Sequence, residues 1–263
     1  MIEKCSKSNK MQIGEFQKTT LIDFPGKIAC SIFLAGCNFK CGYCHNPELV
    51  YNFESNYSEK EILNFLENRK KYLDGICIGG GEPTLQPELK GFIKKIKDLG
   101  FLVKLDTNGT NSKLLNELKK EKLVDYVAMD VKGSLDLYCS ITGEEYLNPR
   151  DDILKGISAT SQFPDYEFRT TIVPIYENKT PRWITPKEIG ETAKLIWNYT
   201  CYSEEDSEVK RYILQPFKAI DKKEGDRKFT KEELPKEMWE TPREHLENCL
   251  VEAQKYIPKA EIR

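Results

Sequence analysis

Short, nearly continuous apolar runs recur at 28–34, 75–78, 102–105, 126–129, 167–173 and 211–214. They show little clean alternation, the pattern of parallel strands buried on both faces. Helical patterns lie between them. Ser58 and Glu61 form a capping box ahead of an apolar-periodic stretch. Residues 87–99 carry apolar positions at helical spacing and stop before Gly100, and Ser112 is placed to cap the next helix. Thr185, Pro186 and Glu188 combine a cap, a first-turn proline and a box glutamate, and Thr241, Pro242 and Glu244 repeat the device. Strand alternating with helix predicts an α/β fold with a parallel sheet. A full eightfold barrel takes about 250 residues. Six strands, a tail and a last helix therefore predict a partial (βα)6 open barrel with a C-terminal helical extension. The expected division is a flexible tail over 1–11, a barrel domain over 12–220 and an extension over 221–263 packed on it. Ligands in such folds collect at the C-terminal ends of the strands.

Composition narrows the class. Forty basic residues stand against 42 acidic ones in 263, a net charge of −2, which argues against a nucleic-acid binder. Hydrophobic residues make up 39%, enough for a packed core. No apolar run approaches the roughly 18 residues of a membrane span, and the polar start lacks a signal-peptide core. A cytoplasmic protein without a membrane contact is expected. The acidic stretch 203–208 reads as a surface loop.

Nine cysteines in such a chain are not a disulfide framework, and three of them, Cys37, Cys41 and Cys44, fall within eight residues directly after the first run. Three thiolates this close can serve one metal centre. Structural zinc needs four ligands, and His45, next to Cys44, is poorly placed as the fourth. The sequence from Cys41 to His45 also fits the haem-attachment spacing, but no export signal accompanies it. An iron–sulfur cluster on three cysteines leaves one iron open to a ligand, like a catalytic metal site. Of the others, Cys30 and Cys77 lie inside predicted strands and are expected to pack in the core. Cys139, Cys201 and Cys249 lack ligand spacing, and His245 is expected at the surface.

Further polar groups end the other runs. Gly79, Gly80 and Gly81 followed by Glu82 allow a ligand close to the backbone, or make a tight turn. Asp106 ends the third run, where it can accept backbone bonds or face a ligand. Asp130 and Lys132 are two apart, so they share a strand face and can pair with each other. Arg169 inside an apolar run needs a partner, either Asp130 or a bound carboxylate. Gln215 ends the last run.

The segment Cys37–Asn38–Phe39–Lys40–Cys41–Gly42–Tyr43–Cys44 resembles the C-x3-C-x2-C signature of radical S-adenosylmethionine enzymes. The resemblance implies a [4Fe-4S] cluster on Cys37, Cys41 and Cys44, with S-adenosylmethionine chelated at the open iron. It also implies a 5'-deoxyadenosyl radical, released by one electron from a flavodoxin- or ferredoxin-like reductant. Gly80, Gly81, Glu82 and Pro83 look like the family's GGEP motif, implying a Gly81 backbone contact to the methionine amino group and a turn held by Glu82. Asp106 with Thr107, Asn108 and Gly109 is similar to the DTNG of glycyl-radical activating enzymes, which implies a place near S-adenosylmethionine and a monovalent cation. Asp130 and Lys132 resemble a cofactor-binding D-x-K pair of the same enzymes. Tyr43 and His45 are expected to border the adenine. Gln215 stands where some related enzymes carry histidine.

The run from Thr19 to Lys27 together with Cys41–Gly42–Tyr43–Cys44–His45–Asn46–Pro47–Glu48–Leu49 resembles activating proteins of anaerobic ribonucleoside-triphosphate reductases, of the longer archaeal and clostridial type. That implies hydrogen abstraction from a glycine of a partner glycyl-radical enzyme. A pyruvate formate-lyase-type activating enzyme, a small-molecule radical reaction such as deazaguanine synthesis, and a non-catalytic iron–sulfur protein are the alternatives.

Overall fold

The computed structural model describes residues 10–51, 55–143, 150–200, 208–221 and 229–263. In chain order the elements are β1 (Ile13–Thr20), β2 (Ala29–Leu34), α1 (Pro47–Tyr51), α2 (Glu59–Arg69), β3 (Gly75–Gly80), α3 (Leu89–Asp98), β4 (Leu102–Thr107), α4 (Ser112–Lys120) and β5 (Tyr126–Asp130). Then follow α5 (Tyr138–Thr142), α6 (Arg150–Ser161), β6 (Tyr166–Ile172), β7 (Pro174–Glu177), β8 (Thr180–Trp183), α7 (Pro186–Thr200), β9 (Tyr212–Pro216), α8 (Arg243–Gln254) and β10 (Ala260–Ile262).

The six predicted strands are β2, β3, β4, β5, β6 and β9, parallel and neighbours in that order. Two more extend the sheet. β1 pairs antiparallel with β2 at one edge, and β10 pairs parallel with β9 at the other. The C-terminal extension is therefore not only helical. Its last strand completes an eight-stranded sheet. β7 and β8 form a separate two-stranded ribbon. Ser31 on β2 and Gln215 on β9 line one cleft, so the sheet curls around it as a partial barrel.

Strand alternation divides this sheet into an apolar and a polar side. Ile32, Ile76, Ile78, Val103 and Leu105 join Leu66, Phe92, Ile96 and Leu118 in one apolar core, which Met11 also enters. Met129, Phe168, Tyr212 and Leu214 join Ile157, Ala193, Ile196 and Cys249 in a second. The intervening residues, among them Cys77, Asp106, Asp130 and Arg169, face the cleft.

Two caps differ from expectation. Asn111, not Ser112, caps α4 by accepting from the N–H of Leu114. Thr241 does not cap α8. Its hydroxyl donates to Ile172 O at 2.9 Å and accepts from Phe217 N, which ties the ends of β6 and β9 together. The boxes at Ser58 and Thr185 form as expected. Of the tail over 1–11, residues 1–9 lie outside the described residues and Met11 is buried. Cys5, Cys201 and residues 203–207 of the acidic stretch also lie outside them, while Glu208 pairs with Lys259. No helix among the described residues is long and apolar enough to cross a membrane.

Candidate functional site

The cysteine loop leaves β2 through Gly36, whose positive φ of 87° suits glycine. Two aromatic side chains between the cysteines anchor it. Phe39 and Tyr43 are buried in the second core, with Phe39 edge-on to Tyr138. Backbone and side-chain bonds add to this. Lys40 donates from its N–H to Thr142 O, and Asn38 exchanges hydrogen bonds with Thr110 and Asn108. The anchored aromatics leave Cys37, Cys41 and Cys44 to line the cleft. Burial pushes the Cys37 thiol well above its ordinary value. Burial also pushes Cys41 up to about 11, with Lys132 pulling it back. A metal that binds thiolate reverses that preference.

The end of β3 packs backbone to backbone on this loop. Gly81 donates to Leu34 O and Glu82 to Gly36 O, both at 2.8 Å. A Cβ on Gly81 would stand 2.1 Å from Gly36 O. The Gly81 N–H is thus already used, so a backbone contact to an amino group falls to its carbonyl. Glu82 is fully buried and accepts from Thr84 N and Oγ1, from Thr107 Oγ1 and from Asn108 N. It clamps the ends of β3 and β4 behind the cleft. Burial nevertheless holds its carboxyl above the usual range.

A ladder of charges crosses the inner face. Arg169 donates from Nη1 to Asp106 Oδ2 at 3.0 Å and from Nε to Asp130 Oδ1 at 2.8 Å. Lys132 reaches Asp130 Oδ2 at 2.9 Å and lies over the Tyr43 ring. The expected Asp130–Lys132 pair forms, and Asp130 is the partner Arg169 needed. Asp106 takes ion pairs from Lys104 and Arg169 instead of the backbone bonds open to it. Burial is the largest single influence and would raise both aspartates, but the cations together outweigh it, Arg169 with Lys104 at Asp106 and Arg169 with Lys132 at Asp130. Both carboxyls lie below their usual range.

Twelve of the thirteen site residues read from sequence line this one cleft of about 340 Å3: Cys37, Cys41, Tyr43, Cys44, His45, Gly80, Gly81, Asp106, Asp130, Lys132, Arg169 and Gln215. Glu82 supports them from behind. Such a volume falls in the range of small-molecule sites. Cys30 packs in the first core as expected. Cys77 does not. It lines the cleft, with Sγ 3.7 Å from both Lys104 Nζ and Asp106 Oδ1. Lys104 escaped the sequence reading, although its two-residue spacing from Asp106 carries the same strand-face signal as Asp130 and Lys132. Asp23 and Ser31, bonded to each other in the cleft, gave no such signal. Cys139 is exposed and Cys249 is buried in the second core. His245 is half-buried, its Nε2 at 2.9 Å from Ile184 O.

The donor set suits an iron–sulfur cluster. Three thiols face one cleft from one anchored loop, and each iron of a cubane takes a single thiolate. Among the described residues, no three His, Cys, Asp or Glu side chains converge as ligands of one ion. A cluster does not require them to. Cationic and anionic side chains beside the thiols suit a zwitterionic amino-acid ligand.

Residues 31–174 match the radical SAM superfamily. A putative glycyl-radical enzyme activating enzyme of Methanocaldococcus jannaschii is 34% identical over 236 residues, 88% of this chain and 91% of that protein. The pyruvate formate-lyase-activating enzyme of Clostridium pasteurianum is 34% identical over 154 residues, 56% of this chain and 63% of that one. The crystal structure of Streptococcus suis SuiB aligns over 76% of this chain and 40% of that one, with a TM-score of 0.52 at 16% identity, a likeness of fold. With its cysteine loop, its inward charges and these relatives together, the chain belongs to the radical SAM superfamily, whose members use a [4Fe-4S] cluster and S-adenosylmethionine, among the relatives named glycyl-radical enzyme activating enzymes.

Proposed function

We propose that this protein generates a glycyl radical in a partner enzyme, anaerobic ribonucleoside-triphosphate reductase. The observation that carries the reading is the meeting of Cys37, Cys41 and Cys44 with the Asp106–Arg169–Asp130–Lys132 ladder in one cleft. The three cysteines hold the cluster. When bound and reduced, the cluster would supply one electron for cleavage of S-adenosylmethionine to methionine and a 5'-deoxyadenosyl radical, the chemistry needed to take hydrogen from a glycine of the partner. Lys132 and Arg169 attract the methionine carboxylate and ribose oxygens. Asp106, Asp130 and the Gly81 carbonyl accept from the amino group and hydroxyls. Tyr43 and His45 border the adenine, and Gln215 reaches the far wall. Residues 12–220 serve as the catalytic barrel domain, with 221–263 a C-terminal extension packed on it. The open side of the barrel admits a protein loop, and a flavodoxin- or ferredoxin-like protein delivers the electron.

The test is anaerobic reconstitution with iron and sulfide, reduction, and assay for 5'-deoxyadenosine and methionine. Both should form in the wild-type protein and fall below about 1% of that in Cys37→Ala, Cys41→Ala or Cys44→Ala, a loss typical of removing a catalytic metal ligand. Full cleavage by Cys41→Ala defeats the cluster assignment. The pyruvate formate-lyase reading is kept open by the Clostridium pasteurianum relative. Incubation with each candidate partner and electron paramagnetic resonance for a glycyl radical decides between them.

A further inference from the structure

Beneath the cofactor residues lies a second set of charges. Arg263 follows β10. Its backbone N–H donates to Leu214 O at 3.1 Å, and its Nη2 donates to Glu167 Oε2 at 2.8 Å. Its Nη1 approaches Glu167 Oε1 at 3.3 Å, so the contact is two-pronged. Glu167 is fully buried on β6 and also accepts from the Tyr126 hydroxyl. Two residues along the same strand face stands Arg169, whose Nη1 lies 4.0 Å from Glu167 Oε1. Arg169 thus has three carboxylates within reach, and Glu167 has two guanidinium groups.

We propose that Arg263 is a positioning residue for the cofactor site, acting through Glu167 on Arg169. A buried carboxylate stripped of its counterion is strongly unfavourable and takes the nearest cation. While Arg263 matches Glu167, Arg169 stays on Asp106 and Asp130. Remove Arg263, and Arg169 is the nearest replacement, so it turns towards Glu167 and releases one or both aspartates. Lys104 and Lys132 then face those aspartates without it. The consequence for the cofactor rests on the assignment of Asp106 and Asp130 to S-adenosylmethionine made above. The contact joins a residue just past the edge strand β10 to β6, two strands further into the sheet, where Arg169 stands.

The test uses R263M, E167Q and E167Q/R263M, each compared with wild type in two ways. The crystal structure of R263M should place the Arg169 guanidinium on Glu167, and that of the double variant should return it to Asp106 and Asp130. Affinity of the cluster-loaded protein for S-adenosylmethionine should fall roughly 3- to 30-fold in R263M, as expected for coupled charges in one network. It should recover to within about twofold in the double variant, since an amide demands no counterion. A role limited to pinning β10 predicts no such rescue, because E167Q restores no strand contact. Arg169 unmoved in R263M, or no recovery in the double variant, overturns the proposal. Should R263M fail to fold, a double variant that folds and binds like wild type supports it, and one that does not overturns it. A wild-type protein that binds no S-adenosylmethionine defeats the functional assignment instead, and the position of Arg169 in R263M still decides this one.

Discussion

Arg169 shows how one side chain sets the state of two others. It bridges Asp106 and Asp130 at hydrogen-bond distance and is 14% exposed, so solvent screens the pairs little. Both aspartates have carboxyls held below their usual value. A depressed carboxyl stabilises the fold above its unfolded value, near 3.8, and that contribution is lost as the pH falls below it. Arg169→Met should therefore be less stable than wild type by about 1–3 kcal/mol at pH 6, because it takes one of two cations from each aspartate and leaves Lys104 and Lys132 alone with them. The gap should narrow between pH 4 and the acid limit of the folded state, as the aspartates protonate. Denaturant midpoints measured across that range check this, and a constant gap would exclude the ion-pair account. Arg169, Asp130 and Lys132 were legible in the sequence because a charge inside an apolar strand demands a partner. Cys77 was legible as a buried strand residue but not as one that faces the cleft. An uncharged side chain in an apolar run does not reveal which face it occupies.

Element ends carry the site, and here short polar side chains decide. Asn111 caps α4 and also donates from Nδ2 to Thr84 O at 2.8 Å, fastening that helix to the turn after Glu82. Asn111→Ala should cost about 1–2 kcal/mol, whereas Ser112→Ala should stay within about 0.5 kcal/mol, by thermal or chemical denaturation. Equal costs would return the cap to Ser112. At the end of β3 the constraint is steric. Gly81→Ala sets a Cβ against the Gly36 carbonyl, one residue before Cys37. The strand end or the loop must move, at about 1–3 kcal/mol. Iron bound per chain after reconstitution should fall to about half or less, while the far-ultraviolet dichroism stays unchanged. The sequence could place these ends, since glycine and proline punctuate them, but it could not choose between neighbouring cap residues. Asn111 and Ser112 are both good caps, and only the chain's path selects one.

Across the whole molecule, the apolar side of the sheet made the six central strands legible and the edges illegible. β3, β4 and β5 are paired on both sides and buried along almost their whole length. β1 is half exposed, with Glu15, Gln17 and Lys18 along an edge that only one neighbour pairs. β10 has three residues, too few for any period, and β7 with β8 makes a ribbon outside the main sheet. Such pieces fold by tertiary contact, not by their own pattern. The same distinction sets local stability. Opening a central strand such as β4 breaks two ladders and exposes the apolar core its Val103 and Leu105 enter, so its amides should exchange only through near-global unfolding. The ribbon of β7 and β8 breaks a single short ladder with exposed residues on both strands. Its opening free energy should lie at least about 3 kcal/mol below that of β4, given the span from near zero to the global value seen within one domain. Native-state hydrogen exchange resolves the two segments directly. Equal protection would mean that the ribbon is bound into the main core, and that the inner charges and the outer helices do not by themselves define the stable unit of this fold.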